Sequence, residues 1–257
     1  MSYYAYTNLN HKDEYKVTAR EVETGIIFAN KYYCPCCSAL FYFKSRSSNN
    51  KPAHFAKLPS SNHDEDCWVP YIDGISGEVS PENASLFDPE SFFYVINSSK
   101  ERVMNTNKMK NDRTKISNSS TIMHLNTIRN LYKFCLLYDS NYYIKKDLRI
   151  IDILVARKTS YYYREYAFGY KLIEASYSGY SDNAIFLIYP YYSKEPIFTV
   201  VLNFNDKKLF TKACQRLYNH TKEKPVLIYS KWNYKRGNNS KTYVRTTITN
   251  INQIVPL

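Results

Sequence analysis

Residues 166–221 read YAFGYKLIEASYSGYSDNAIFLIYPYYSKEPIFTVVLNFNDKKLFTKACQRLYNHT. Three runs within it, 166–176, 184–192 and 196–204, are rich in β-branched and aromatic residues, and Gly, Ser, Asp, Asn and Pro separate them. That is the pattern of short strands joined by tight connections. From Asn205 the period changes. Leu209, Phe210, Ala213 and Leu217 fall on one face of a helix over 205–221, which Asn205 and Asp206 open. Two more strand-like runs follow, KPVLIYSKWNYK (224–235) and TYVRTTITNINQIVPL (242–257). The order is β-β-β-α-β-β, with the helix between strands three and four.

An OB-fold, a five-stranded Greek-key barrel, has this order, and KPVLIYSKW…TTITNINQI resembles the last hairpin of OB domains that bind nucleic acid. The expected fold is therefore α+β. It comprises a small zinc-binding N-terminal domain (1–104), a linker with a bridging helix (105–147), and an OB-like barrel (148–257). In such a barrel the loops YSGYSD (177–182) and NYKRGNNSKTY (233–243) flank the binding face. The second loop joins Lys235, Arg236 and Lys241 to Tyr234, Tyr243 and the adjacent Trp232. Cations neutralise phosphates and flat rings stack on unpaired bases. Phe186, Tyr189 and Phe198 lie on the strands, where about half of such positions have to point inward and fill the barrel. The exposed loop is the better-placed surface.

Upstream, residues 32–68 (YYCPCCSALFYFKSRSSNNKPAHFAKLPSSNHDEDCW) hold four of the six cysteines and two of the five histidines. Cys34 and Cys37 form C-x2-C. His63 and Cys67 form H-x3-C, which suits one turn of helix. The combination is the ligand spacing of a structural zinc site, with a strand at Leu40–Lys44, a polar turn at Ser45–Pro52 and a return strand between. His54 is an alternative third ligand, and Cys36 would point away if its neighbours bind. Four protein ligands leave no open position, so the ion is expected to be structural Zn2+ and not catalytic.

The motif YYCPCC…KPAHFAK…C, with VTAREVETGIIFANK before it, resembles the N-terminal zinc-binding segment of competence CoiA-like proteins over residues 15–70. Lys57 stands where that family has a second histidine, which favours His63. In that family a nuclease domain follows the segment, so the resemblance implies a nuclease alternative. A metal-dependent nuclease of that kind needs one carboxylate on a strand and an E-x-K on the next. RIIDILVARK offers Asp152 and YKLIEASY offers Glu174. However, Ser176 occupies the lysine position, and strand alternation puts Lys171 on the opposite face from Glu174. The expectation is a protein with no catalytic residues, and Asp152 with Glu174 is the alternative.

Between these parts, DPESFFYVINSSKERV starts as a helix and offers Phe92, Phe93 and Val95 for burial, while 105–120 reads as an exposed linker. The run 119–141 has Ile122, Leu125, Ile128, Leu131 or Tyr132, and Cys135 at helical spacing, with Ser119 or Ser120 as cap and one apolar stripe. His124 and Cys135 are packing residues in that reading. Net charge is +12, and Lys and Arg against Asp and Glu number 8 and 7 in 1–70, 11 and 9 in 71–150, and 16 and 7 in 151–257. The basic excess lies in the barrel region and favours a polyanionic partner, single-stranded nucleic acid first and a protein partner as the adaptor alternative. The chain has no run of eighteen apolar residues and its first residues lack a secretory core, so a cytoplasmic protein with reduced thiols is expected, with no membrane association.

Overall fold

Short tyrosine-rich strands build the N-terminal part of the computed structural model, which describes residues 1–46, 52–64, 67–70, 87–98, 125, 127–190, 195–218, 225–237 and 241–257. Strands β1 (Tyr4–Tyr6), β2 (Lys16–Thr18), β3 (Tyr32–Tyr33), β4 (Leu40–Lys44) and β5 (His54–Lys57) form one antiparallel sheet in the order β2-β1-β3-β4-β5. Thr18 starts helix α1 (Ala19–Glu23) through a capping box. Its hydroxyl accepts from the Glu21 N–H, and the Glu21 carboxylate accepts from the Thr18 N–H at 2.7 Å.

Helix α2 (Pro89–Ser98) follows the expected Asp-Pro-Glu start, but Ile96 is buried in place of Val95, which is exposed. Helix α3 (Ile128–Leu137) is the bridging helix, and it differs from the expectation in two ways. Thr127 caps it, the hydroxyl accepting from the Asn130 N–H at 3.2 Å. Nine of its ten residues are buried, so it is enclosed all round and does not present one stripe. The expected linker at 105–120, the caps Ser119 and Ser120, and Ile122 and His124 lie outside the described residues.

A small hairpin, β6 (Tyr143–Lys145) with β7 (Leu148–Arg149), leads through the short helix α4 (Ile150–Ile153) to β8 (Leu154–Val155). The C-terminal strands are β9 (Gly169–Ser181), β10 (Ala184–Tyr189), β11 (Phe198–Phe204), β12 (Val226–Arg236), β13 (Thr242–Ile248) and β14 (Ile254–Pro256), with α5 (Lys207–Tyr218) between β11 and β12. Strands β9, β10, β11, β13 and β12 pair in that cyclic order, and β12 pairs with β9 to close a five-stranded barrel. The β11–β13 pair is parallel and the other four are antiparallel.

The period of two explains how the barrel meets the rest of the chain. Ile173, Ala175, Val226 and Ile228 join the barrel interior with Leu187, Val200 and Val244. Their neighbours Leu172, Leu227 and Tyr229 join a second cluster with α3 and the N-terminal sheet. Both faces of the β9–β12 pair are therefore buried, which is why VLIY (226–229) reads as a continuous apolar run and why Glu174 and Ser176 on β9 are buried polar residues. Inside the barrel Tyr189 and Phe198 stack at 4.7 Å, so these two rings are core.

Candidate metal centre and the cationic-aromatic edge

The β3–β4 connection places Cys34 and Cys37 at the head of a tight turn. The Cys34 N–H donates to the Ala39 carbonyl at 2.8 Å, and the Cys36 N–H points at Cys34 Sγ at 3.4 Å. His63 and Cys67 reach the same point from beyond β5. The Cys67 N–H donates to the Asp64 carbonyl at 2.9 Å, and residues 65 and 66, in the middle of the expected helical turn, lie outside the described residues. Ligand atoms of Cys34, Cys37, His63 and Cys67 all lie within 4.8 Å of one another.

The edges test whether a cation fits. Cys34 Sγ and Cys67 Sγ are 3.6 Å apart, and His63 Nδ1 is 3.3 Å from Cys37 Sγ and 3.3 Å from Cys67 Sγ. Bonds of roughly 2.3 Å to sulfur and 2.0 Å to nitrogen give tetrahedral edges of about 3.5–3.8 Å. Three edges lie close to those values and the rest stay within 4.8 Å, so three thiolates and the imidazole Nδ1 could hold one tetrahedral ion. All six cysteines are free thiols. Hydrogen bonding to a neighbouring sulfur, with burial, pushes the Cys36 and Cys67 thiols well above their ordinary range. Such crowded thiols ionise together only when a cation balances them.

His54 is not in this group. It starts β5, its Nδ1 sits 2.9 Å from the Pro52 carbonyl, and it stands outside the cluster, which removes the alternative ligand. Cys36 is not one of the four clustered residues, but it does not point away as expected: its thiol hydrogen-bonds to that of Cys67. Sequence reasoning missed His11. Its ring faces the backbone of Cys34 and Cys37, its Nε2 is buried without a hydrogen-bond partner, and burial lowers its pKa. It lies 23 positions before Cys34, and no spacing rule connects them.

The residues expected to meet nucleic acid divide. Tyr234, Lys235, Arg236 and Lys241 are exposed at the β12–β13 end of the barrel. Tyr243 is half-buried, and Gly237 is held beneath it, where an added Cβ would stand 2.8 Å from the ring. Trp232 is a correction. It is 1% exposed, and its indole N–H donates to the Lys171 carbonyl at 3.0 Å, so it fills the barrel and offers no stacking face. Counting by two from inward Ile228 lands on Trp232, a signal present in the sequence.

No family model, curated protein or solved structure matches the chain. Among the described residues, no helix is long and apolar enough to cross a membrane.

The alternative carboxylate pair does not assemble. Asp152 lies on helix α4 and not on a strand, and it is ion-paired with Arg149 at 3.2 Å. Glu174 lies on the outer face of β9 beneath α3. It is 1% exposed and accepts a hydrogen bond from the Tyr132 hydroxyl. Burial raises its pKa to about 7. Asp152 lines an open cleft with Tyr161 and Lys171, whereas Glu174 is enclosed between β9 and α3 and engaged by Tyr132, so the two carboxylates face different surroundings.

A second feature arises from a segment that sequence reasoning passed over. Between β8 and β9, Tyr163 donates to the Ile151 carbonyl and Ala167 is buried against the barrel core. Those two anchors turn Tyr161, Tyr162, Tyr166 and Phe168 outward. They line an open cleft of about 570 Å³ with Asp152 and Lys171. Tyr166 stacks on Tyr234 at 4.5 Å, and Glu165 pairs with Arg236 at 3.2 Å, so the segment is joined to the end of β12.

Proposed function

We propose that the protein binds single-stranded nucleic acid through an OB-like C-terminal barrel, with a structural zinc ion in the Cys34, Cys37, His63 and Cys67 cluster stabilising the N-terminal part. The observation that carries this reading is a closed five-stranded barrel whose β12–β13 end exposes Tyr234, Lys235, Arg236 and Lys241 together. Strand order, the parallel β11–β13 pair and the position of α5 are those of the OB architecture. Rings stack on any unpaired base and cations follow the phosphates, so the chemistry favours a single strand over a duplex. Zinc is the cation that best suits three thiolates and one imidazole in a closed tetrahedron. The CoiA-like resemblance of residues 15–70 agrees with a metal in this position. Its nuclease implication finds no paired carboxylates at Asp152 and Glu174.

Fluorescence-anisotropy titration of the metal-loaded chain against single-stranded DNA, single-stranded RNA and duplex DNA at rising salt tests the reading. Tight single-strand binding that weakens steeply with salt is expected, and reversing charge at Lys235 and Arg236 lowers both the affinity and the salt slope. Equal binding of all three polymers, or of none, would overturn it. In the second case a protein partner becomes the reading to pursue.

A further inference from the structure

We propose that the cleft formed by the segment 161–168 is the seat for one unpaired base of the bound strand. This deepens, and rests on, the single-strand reading. It places the base outside the β12–β13 loop, on a segment that is not part of the barrel.

The chemistry of the cleft selects the ligand. Tyr161, Phe168 and Tyr162 are 72%, 58% and 50% exposed, an unusual concentration of rings in water at one place. The rings are held in position. Arg164 lies over Tyr161 at 4.4 Å, Tyr166 is parallel to Tyr234 within 19°, and Tyr163 and Ala167 anchor the backbone between them. A preformed stack of this kind loses little side-chain entropy when another flat ring joins it. The volume of about 570 Å³ suits a ligand of nucleotide size.

The charged groups around it are Arg149, Arg164, Lys171 and Arg236 against Asp152 and Glu165, a cationic balance. Lys171 stands 5.9 Å from the Phe168 ring centroid, and Arg236 lies beside the Tyr166–Tyr234 stack. A base on the rings would thus have cations on both sides for its flanking phosphates. Arg149 and Arg236 already pair with Asp152 and Glu165, so Arg164 and Lys171 are the cations that an anionic occupant would meet and a purely apolar one would not use.

The test uses the full metal-loaded chain, DNA and RNA dodecamers, and the variants Tyr162→Ala, Phe168→Ala and their double. Both side chains are exposed, so the fold tolerates their removal. Tyr180→Ala, an exposed ring packed on Phe210 of α5, serves as control. The expected result is an affinity loss of about tenfold or more in the double variant with an unchanged salt slope, because rings neutralise no phosphate. Quenching of a 2-aminopurine placed in the oligonucleotide should be strong with the wild type and lost with the double variant. Unchanged affinity and quenching in the double variant, with the wild type still binding, would overturn the base seat and leave the single-strand reading standing. Absence of wild-type binding would overturn both.

Discussion

The Lys158 ammonium lies 5.0 Å from the centroid of the Trp68 ring, one residue past the ligand Cys67, and donates to the Cys135 carbonyl at 2.8 Å. It also donates to the Leu136 and Tyr138 carbonyls and faces Tyr4. One cation on the lead-in to the barrel thus closes the C-terminus of α3 and touches the edge of the metal cluster. The last carbonyls of a helix have no partner within it, and a positive charge there also suits the helix dipole.

Burial lowers the Lys158 pKa to about 7, against Asp139 and Cys135, which raise it, and Lys16, which lowers it. An unfolded lysine titrates near 10.4, so between about pH 7 and 10 the unfolded chain binds more protons, and stability rises with pH in that window. Lys158→Met should remove that rise. Urea denaturation at pH 7.5 and 9.0 checks it: the wild type should gain up to about 2 kcal/mol relative to the variant across the interval. Parallel pH curves for the two proteins would show that the folded ammonium keeps its charge through this window, its burial compensated by the carbonyls it donates to.

Glu174 has the opposite sign. Its folded pKa of about 7 lies above the ordinary carboxyl value, so the folded chain binds the extra proton between about pH 4.5 and 7. Stability is therefore lost as pH rises through that window, by at most about 3.5 kcal/mol. Gln keeps an acceptor for the Tyr132 hydroxyl and carries no charge. Glu174→Gln should stabilise the protein at pH 8, leave it unchanged at pH 4.5, and not affect oligonucleotide binding. A destabilised variant at pH 8 would mean that Arg157 and Tyr132 stabilise the carboxylate more than burial penalises it.

The barrel was legible because its strands alternate, and burial on both faces of β9 and β12 did not disguise them. The end of β9 was not. Gly179 and the serines near it read as a turn, yet the strand runs to Ser181 with a register shift opposite Phe186 and Leu187, and the turn falls at Asp182, whose φ is 45°. A bulge admits an extra residue without ending the strand. Trp232 was misassigned because it adjoins a basic loop, although the alternation of β12 points it inward. For the candidate metal centre, the C-x2-C and H-x3-C spacings were sufficient to name the four side chains that the structure brings together, since ligand spacing is a local property. The cleft was invisible: YYYREYAF has no period of two or 3.6, and its outward rings are set by Tyr163 and Ala167, whose partners at Ile151 and in the barrel core lie outside the segment.

Metal binding should depend on four side chains and on no others in the segment. Cys34→Ser, Cys37→Ser or Cys67→Ser should lower metal affinity by more than the roughly 10- to 100-fold typical of changes outside the ligand shell. Cys36→Ser keeps the backbone N–H that points at Cys34 Sγ, and His54→Ala removes a ring engaged with Pro52, so both should retain one equivalent of metal per chain. Metal quantification after gel filtration distinguishes the groups. Loss of metal in Cys36→Ser would place that thiol in the ligand set.

Glu165 and Arg236 form an exposed ion pair, with side chains 65% and 73% accessible, so the bridge contributes between nothing and about 1 kcal/mol to folding. Its meaning for binding is larger. A carboxylate on a guanidinium occupies the position a phosphate would take. Glu165→Gln should therefore raise single-strand affinity about two- to fivefold at low salt and steepen the salt slope by up to about one unit, as one more cation becomes available. The midpoint of thermal unfolding should not move. Arg236→Gln should do the reverse, and the double variant should resemble Arg236→Gln alone, because without the guanidinium the carboxylate has nothing to mask. An affinity gain in Glu165→Gln that survives in the double variant would instead assign the effect to general repulsion, and the ion pair would have no part in it.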